Sequence, residues 1–160
     1  MLFRSNTIDI LNRLLGVHSS SLASYMAFVS PWVDDGEQES LATVMDVVAD
    51  QNRTIKAVGE LILDQGGVVQ AGAFPMTFTS LHDTSLDYLL RLLVRAQSDD
   101  ILLIKKCVAS LDEHTVARAL AEEALGSAQG HLELFEDLLS SEPQARSEEH
   151  TSELQSHLNL

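Results

Sequence analysis

Two histidines stand where apolar helical patterns leave one polar place: His18 between Leu15 and Leu22, and His131 between Ser127 and Leu134. Each puts a neutral nitrogen donor in the middle of a predicted helix. A zinc ion held by two imidazoles could be completed by Asp50 or by water. The same residues are open to a second chemistry. His18, Tyr25, Gln51, Thr54, Gln97 and His131 all occupy seam positions, and they could satisfy one another as a buried hydrogen-bonded layer. Such a layer costs stability relative to an apolar core and can fix helix register. Two histidines on separate helices are a weak metal signal, which favours the layer. No Ser/His/Asp or Cys/His constellation, phosphate-binding glycine loop or basic aromatic patch accompanies them.

Other reactive types read as structural. Met26, Met45 and Met76 suit core or surface filling better than haem contact, and Cys107 reads as a small buried apolar group. His82 and His114 fall at helix starts and are expected to be exposed turn residues. Trp32 and the Phe74-Pro75-Met76 run are expected to tuck under a neighbouring link; left exposed, they would mark a partner surface.

Four helices must position these side chains. The first is predicted near 7–30, capped by Asn6 with Asp9 and ended by Pro31. Its seam is Ile8, Leu11, Leu15, His18, Leu22, Tyr25 and Val29, with the 3,4 spacing of a bundle. The second is predicted over 37–65, with seam residues Val44, Val48, Gln51, Ile55, Val58 and Ile62, and stops at Gly66-Gly67. The third, near 85–110, is capped by Thr84 with Asp87. Its seam is Leu86, Leu90, Leu93, Gln97, Ile101, Ile104 and Val108. The fourth, near 113–140, starts at Asp112 or Thr115 and ends before Pro143, with Val116, Leu120, Ala124, Ser127, His131, Leu134 and Leu138 as its seam.

The first and last links are short, so those helix pairs form antiparallel hairpins. The middle link is long. A helix of about 24 residues measures roughly 36 Å, and about 17 extended residues reach roughly 55 Å. The link can therefore cross the bundle and start the third helix at its far end. The predicted fold is all-α, a four-helix bundle with a long crossover between helices two and three.

Composition sets further bounds. The 160 residues suit one domain. Ten Lys and Arg against 24 Asp and Glu give a net charge of −14, which repels phosphate backbones and argues against nucleic acid as a partner. One cysteine allows a reducing compartment, and the N-terminus does not read as a signal peptide, so a cytoplasmic location is expected. Leu14 to Val33 carries no formal charge, but its serines alternate with apolar residues at helical spacing. It reads as an amphipathic helix, without a membrane role.

Residues 146–156, RSEEHTSELQS, resemble the in-frame translation of a sequencing adapter. The bundle is therefore assigned to 1–145, and 146–160 are expected to be a non-native tail. Neither His150 nor His157 counts as a ligand candidate.

The helix lengths, the crossover position, the LILDQGG ending of helix two and the GHLELFEDLL run of helix four resemble the ferritin-like superfamily, in particular bacterioferritin and rubrerythrin-type bundles. The resemblance covers about residues 6 to 141. It implies an oligomer and a mid-bundle di-iron centre held by one Glu from each of two helices and a Glu-x-x-His from each of the others. Carried over, the helix-one Glu falls on His18, seven residues before Tyr25. The helix-two pair falls on Gln51 and Thr54 in the seam register, or on Asp50 and Arg53 one residue earlier. The helix-three Glu falls on Gln97, and the helix-four pair on Ala128 and His131. Gln, Thr and Ala cannot supply the negative charge of a di-metal centre. The expected protein is therefore non-catalytic, acts through homo-oligomerisation or a protein partner, and carries no cofactor. The alternative is iron chemistry, or one iron or zinc ion at His18, His131 and Asp50.

Overall fold

The computed structural model describes the backbone of residues 2–158 and the side chains of 6–141. It is all-α, with about four long helices packed together. The first long element is interrupted: α1 spans Leu2–Ser19, α2 is a single turn over Leu22–Tyr25, and a 3-10 turn follows at Met26–Phe28. The other helices are α3 (Gln38–Asp64), α4 (Leu86–Ser110) and α5 (Val116–Leu158). Within the described residues no helix is long and apolar enough to cross a membrane.

The break at Ser20-Ser21 arises from serine chemistry. Short hydroxyl side chains compete with the helix ladder for backbone groups. Ser20 Oγ donates to the Gly16 carbonyl at 2.5 Å and Ser21 Oγ to that of His18 at 2.9 Å. Ser21 is extended (φ −68°, ψ 154°), and its oxygen accepts from Ser24 N, capping a new turn. The single unbroken helix expected near 7–30 with Asn6 as its cap is not what forms: the helix begins at Leu2, stops at Ser19 and restarts at Leu22, capped by Ser21. Elsewhere the caps are close to expectation. Ser85 rather than Thr84 caps α4 by accepting from Tyr88 N. Thr115 caps α5 by accepting from Arg118 N. Gly66 ends α3 with φ +79°, a conformation that favours glycine.

Pro143 does not end the last helix, which continues to Leu158. Gln, Ala, Arg, Glu and Leu recur after the proline, and their helix propensity favours propagation. The tail assigned to 146–160 falls on positions whose side chains lie outside the described residues.

The seams of α1, α3 and α4 are buried or half-buried as predicted, whereas that of α5 differs. Val116 and Leu134 face solvent; Ala117, Ala121, Ala124, Ala128, His131 and Phe135 face the core. A stripe of alanines lets α4 and α5 approach closely, and they share the most extensive helix contact in the fold.

The core consists of two apolar clusters. One joins Leu11, Leu14, Val58, Ile62, Ile104, Val108 and the alanines of α5. The other joins Leu22, Met26, Val44, Val48, Leu90, Leu93 and Phe135. Both α3 and α4 therefore enter at the second cluster and end in the first. The link between them runs beside α1. Gly67 lies so close to Ile8 that a Cβ would sit 2.8 Å from Ile8 Cγ2. Asn12 then donates to the Val68 carbonyl and accepts from Gln70 N. Ser19 Oγ accepts from Gly72 N, and Phe74 packs edge-on against Tyr25. Finally, Trp32 N donates to the Thr84 carbonyl at 3.0 Å, just before α4 starts.

Candidate functional site

On every long helix the polar seam residue lies between the segments that feed the two clusters. His18 and Ser21 separate them on the first, Gln51 on α3, Gln97 on α4 and His131 on α5. All five are buried, so the core is divided by one polar layer. Buried polar atoms require partners, and the partners here are mostly internal.

Gln51 is held by the helix break. Ser21 and Ser24 Oγ lie 2.9 and 3.1 Å from its side-chain amide. Each hydroxyl also lies within 2.9 Å of the His18 carbonyl. A hydroxyl has one proton. The network closes best when both protons go to that carbonyl and the Gln51 NH2 is turned to donate to the two serine oxygens. Gln97 Nε2 donates to the Ala128 carbonyl at 3.0 Å, tying α4 to α5 where alanine leaves the backbone open.

The histidines behave differently. His18 Nδ1 donates to the Leu14 carbonyl at 2.9 Å, which leaves Nε2 without a proton in the neutral ring. Burial lowers its pKa, the Leu14 bond opposes this, and the nearby His131 lowers it further. His131 Nε2 donates to Asp50 Oδ2 at 2.6 Å. Its Nδ1 is buried without a hydrogen-bond partner. Asp50 also accepts from Arg53 at 2.9 Å. Burial works to raise the Asp50 pKa, but the hydrogen bonds from Arg53 and His131 outweigh it and hold the carboxyl below its usual range.

The structure thus brings His131 and Asp50 into direct contact, with Asp50 on the ring edge that already carries the proton. Tyr25 and Thr54, also assigned to this layer by spacing, lie outside it. Tyr25 Oη is 3.0 Å from His82 Nε2, so His82, although exposed, helps clamp the long link. Thr54 Oγ1 turns to its own helix, 3.5 Å from the Asp50 carbonyl. His114 is exposed, at φ +64°. Among the described residues, no group of three or more His, Cys, Asp or Glu stands close enough to hold a metal ion.

Spacing missed Ser21, Ser24 and Asp100. The Ser19-Ser20-Ser21 run was a visible signal for a break, but not for its contact with Gln51. Asp100 lies one turn beyond Gln97. It lines a small internal space of about 10 Å³ with His18, Ser21, Gln51 and Gln97, close to the lower limit for a single water. Burial, reinforced by Asp99, pushes its carboxyl up to about 7.

Fold and site together define an all-α bundle whose core is split by a hydrogen-bonded polar layer. It is similar in structure to the conserved hypothetical protein Rv2844 from Mycobacterium tuberculosis. The TM-score is 0.65 at 18% identity, covering 84% of this chain and 98% of that one. No family model and no curated protein matches the sequence.

Proposed function

We propose that the chain is a ferritin-like bundle in which a polar layer stands in place of a di-metal centre, and that it acts by assembly or partner binding. The path of the long link supports the ferritin-like topology: it follows α1 and α2 from Ile8 to Tyr25 and delivers α4 beside Trp32. The observation that carries the functional reading is the identity of the buried polar groups. Gln51, Gln97 and Ala128 occupy the positions where the resemblance calls for carboxylates. The two glutamines have their amides engaged by Ser21, Ser24 and the Ala128 carbonyl. A bridged metal pair would bring several positive charges into this core. The nearby carboxylates are Asp50, already engaged by His131 and Arg53, and Asp100, which keeps its proton up to about pH 7, too little charge to offset the desolvation cost of two ions.

Surface exposure favours assembly. Trp32 and Phe28 are each 64% exposed and Met76 is 85% exposed, so Trp32 and Met76 do not tuck under the link. Only Phe74 does so, half-buried against Tyr25 and Phe78. Contiguous exposed apolar patches mark partner surfaces, and these side chains are the candidates for one. Light scattering at high micromolar concentration is expected to report at least a dimer, with Trp32→Lys/Met76→Lys returning it to monomer. A monomeric parent protein would sink the assembly reading.

One observation favours a second reading, a mononuclear metal site. A metal-binding histidine commonly donates its other nitrogen to a carboxylate, and His131, with Asp50 on Nε2 and an open Nδ1, has that arrangement. Anaerobic Fe(II) and Zn(II) titrations separate the readings. We expect no saturable uptake of two irons per chain, and no iron oxidation faster than buffer when oxygen is admitted. Uptake of two irons, abolished by His131→Ala, would overturn the proposal. One zinc per chain, lost in the same variant, would establish the second reading.

A further inference from the structure

We propose that the cleft between α1 and α4 binds a single-chain amphiphilic carboxylate, with its aliphatic tail in the cleft and its head between Arg13 and Lys106. The cleft has a volume of about 350 Å³, within the range of small-ligand sites. Ile10, Val17, Leu103 and Cys107 supply apolar walls, and Arg13 and Lys106 line it from opposite helices. Ile10 and Cys107 are buried and Leu103 is partly exposed, which gives a graded wall from core to rim.

The charge arrangement selects the head group. The protein carries 24 acidic residues against ten basic ones, and Arg53, Lys56, Arg91 and Arg118 are each paired with a carboxylate on their own helix. Arg13 and Lys106, like Arg95 and Lys105, make no salt bridge among the described residues, but only Arg13 and Lys106 line the cleft. Two cations beside an apolar cleft, on a surface that otherwise repels anions, match a molecule with one anionic end and one hydrocarbon end. The Cys107 thiol lies in the same wall. Burial pushes its pKa up, while Arg13 acts in the opposite direction, which places the guanidinium charge close to the sulfur.

The test uses the full chain with hexanoate, octanoate, decanoate and neutral decanol in calorimetric titrations. Affinity is expected to tighten roughly three- to four-fold for each added methylene until the cleft is filled. Decanol should bind roughly ten-fold more weakly than decanoate, and Arg13→Gln/Lys106→Gln should lose a similar factor for decanoate. Lys105→Gln, beside but outside the cleft, should leave the affinity unchanged. Arg13, Lys105 and Lys106 are all exposed, so melting curves should show the variants folded. A site-specific readout comes from maleimide labelling of Cys107, the sole cysteine, which decanoate should slow in a saturable way. Equal affinity for decanol and decanoate, an unchanged double variant, or labelling unaffected by bound decanoate would each overturn the proposal.

Discussion

Phe135→Ala is expected to cost about 3–5 kcal/mol of stability, the largest loss for any single truncation on α5. Phe135 is fully buried and, among the described residues, is the one α5 side chain completely enclosed in the second cluster, with Leu90, Leu93, Val44 and Met26. The rest of the buried α5 face is alanine and His131. Alanines allow close helix approach but add little apolar area, so the anchoring of this half of α5 falls largely on one ring. Removing it leaves a cavity that leucines and valines from three other helices cannot fill without leaving their rotamers. For a domain of this size each kcal/mol shifts the melting temperature by roughly 2–4 °C, so a fall of roughly 6–20 °C is expected. Leu134→Ala is the control: its side chain is 43% exposed, and the expected cost is about 1 kcal/mol or less. A fall below about 2 °C for Phe135→Ala would show that the cluster does not close around that ring.

Phe135 also marks where reading the sequence failed. The seams of α1, α3 and α4 could be read because large apolar residues recur there at 3,4 spacing and the exceptions are polar. On α5 the buried face carries alanines while Val116 and Leu134 point outward. A reading weighted by side-chain size therefore rotates that helix away from its true face. His131 survived the error because it, like Ala124, belongs to both the predicted and the observed face. The buried glutamines were predictable for the same reason that the α3 and α4 seams were. Their partners were not, because Ser21 and Ser24 reach Gln51 only after the helix breaks, and a break depends on competition among hydroxyls that pattern alone does not rank. Asp100 shows a different limit. Its neighbour Asp99 is exposed, and Asp100 lies outside the 3,4 seam of α4, so spacing gave no reason to turn it inward. Only the packing of the first helix against α4 reveals that one of them is turned toward the polar layer.

Replacing that aspartate, Asp100→Asn, is expected to raise stability at pH 8 by several degrees of melting temperature and to change it little near pH 4. The carboxyl sits against a space lined by His18, Ser21, Gln51 and Gln97, and burial together with Asp99 raises its pKa from an ordinary 3.8 to about 7. Between those values the folded chain keeps a proton that the unfolded chain has released. The folded state then binds more protons than the unfolded one, so stability falls as pH rises through this window and levels off above about 7. Asparagine has nearly the same shape and no charge to bury, so it removes this decline. His18 contributes with the opposite sign. Burial lowers its pKa below the ordinary 6.5, so the unfolded chain takes up a proton that the folded chain resists, and stability is lost as pH falls below about 6.5. The two effects partly cancel in the parent protein and flatten its profile between pH 4 and 7. The variant keeps only the His18 contribution from this pair. Its melting temperature should therefore climb more steeply than the parent's over that interval, with the gap widening up to pH 7 and staying constant beyond. Calorimetric melts of both proteins in half-unit steps from pH 4 to 8 make the comparison. An offset that is the same at every pH would mean that Asp100 titrates alike in the folded and unfolded chains, and that the polar layer faces a solvated carboxyl with an ordinary pKa.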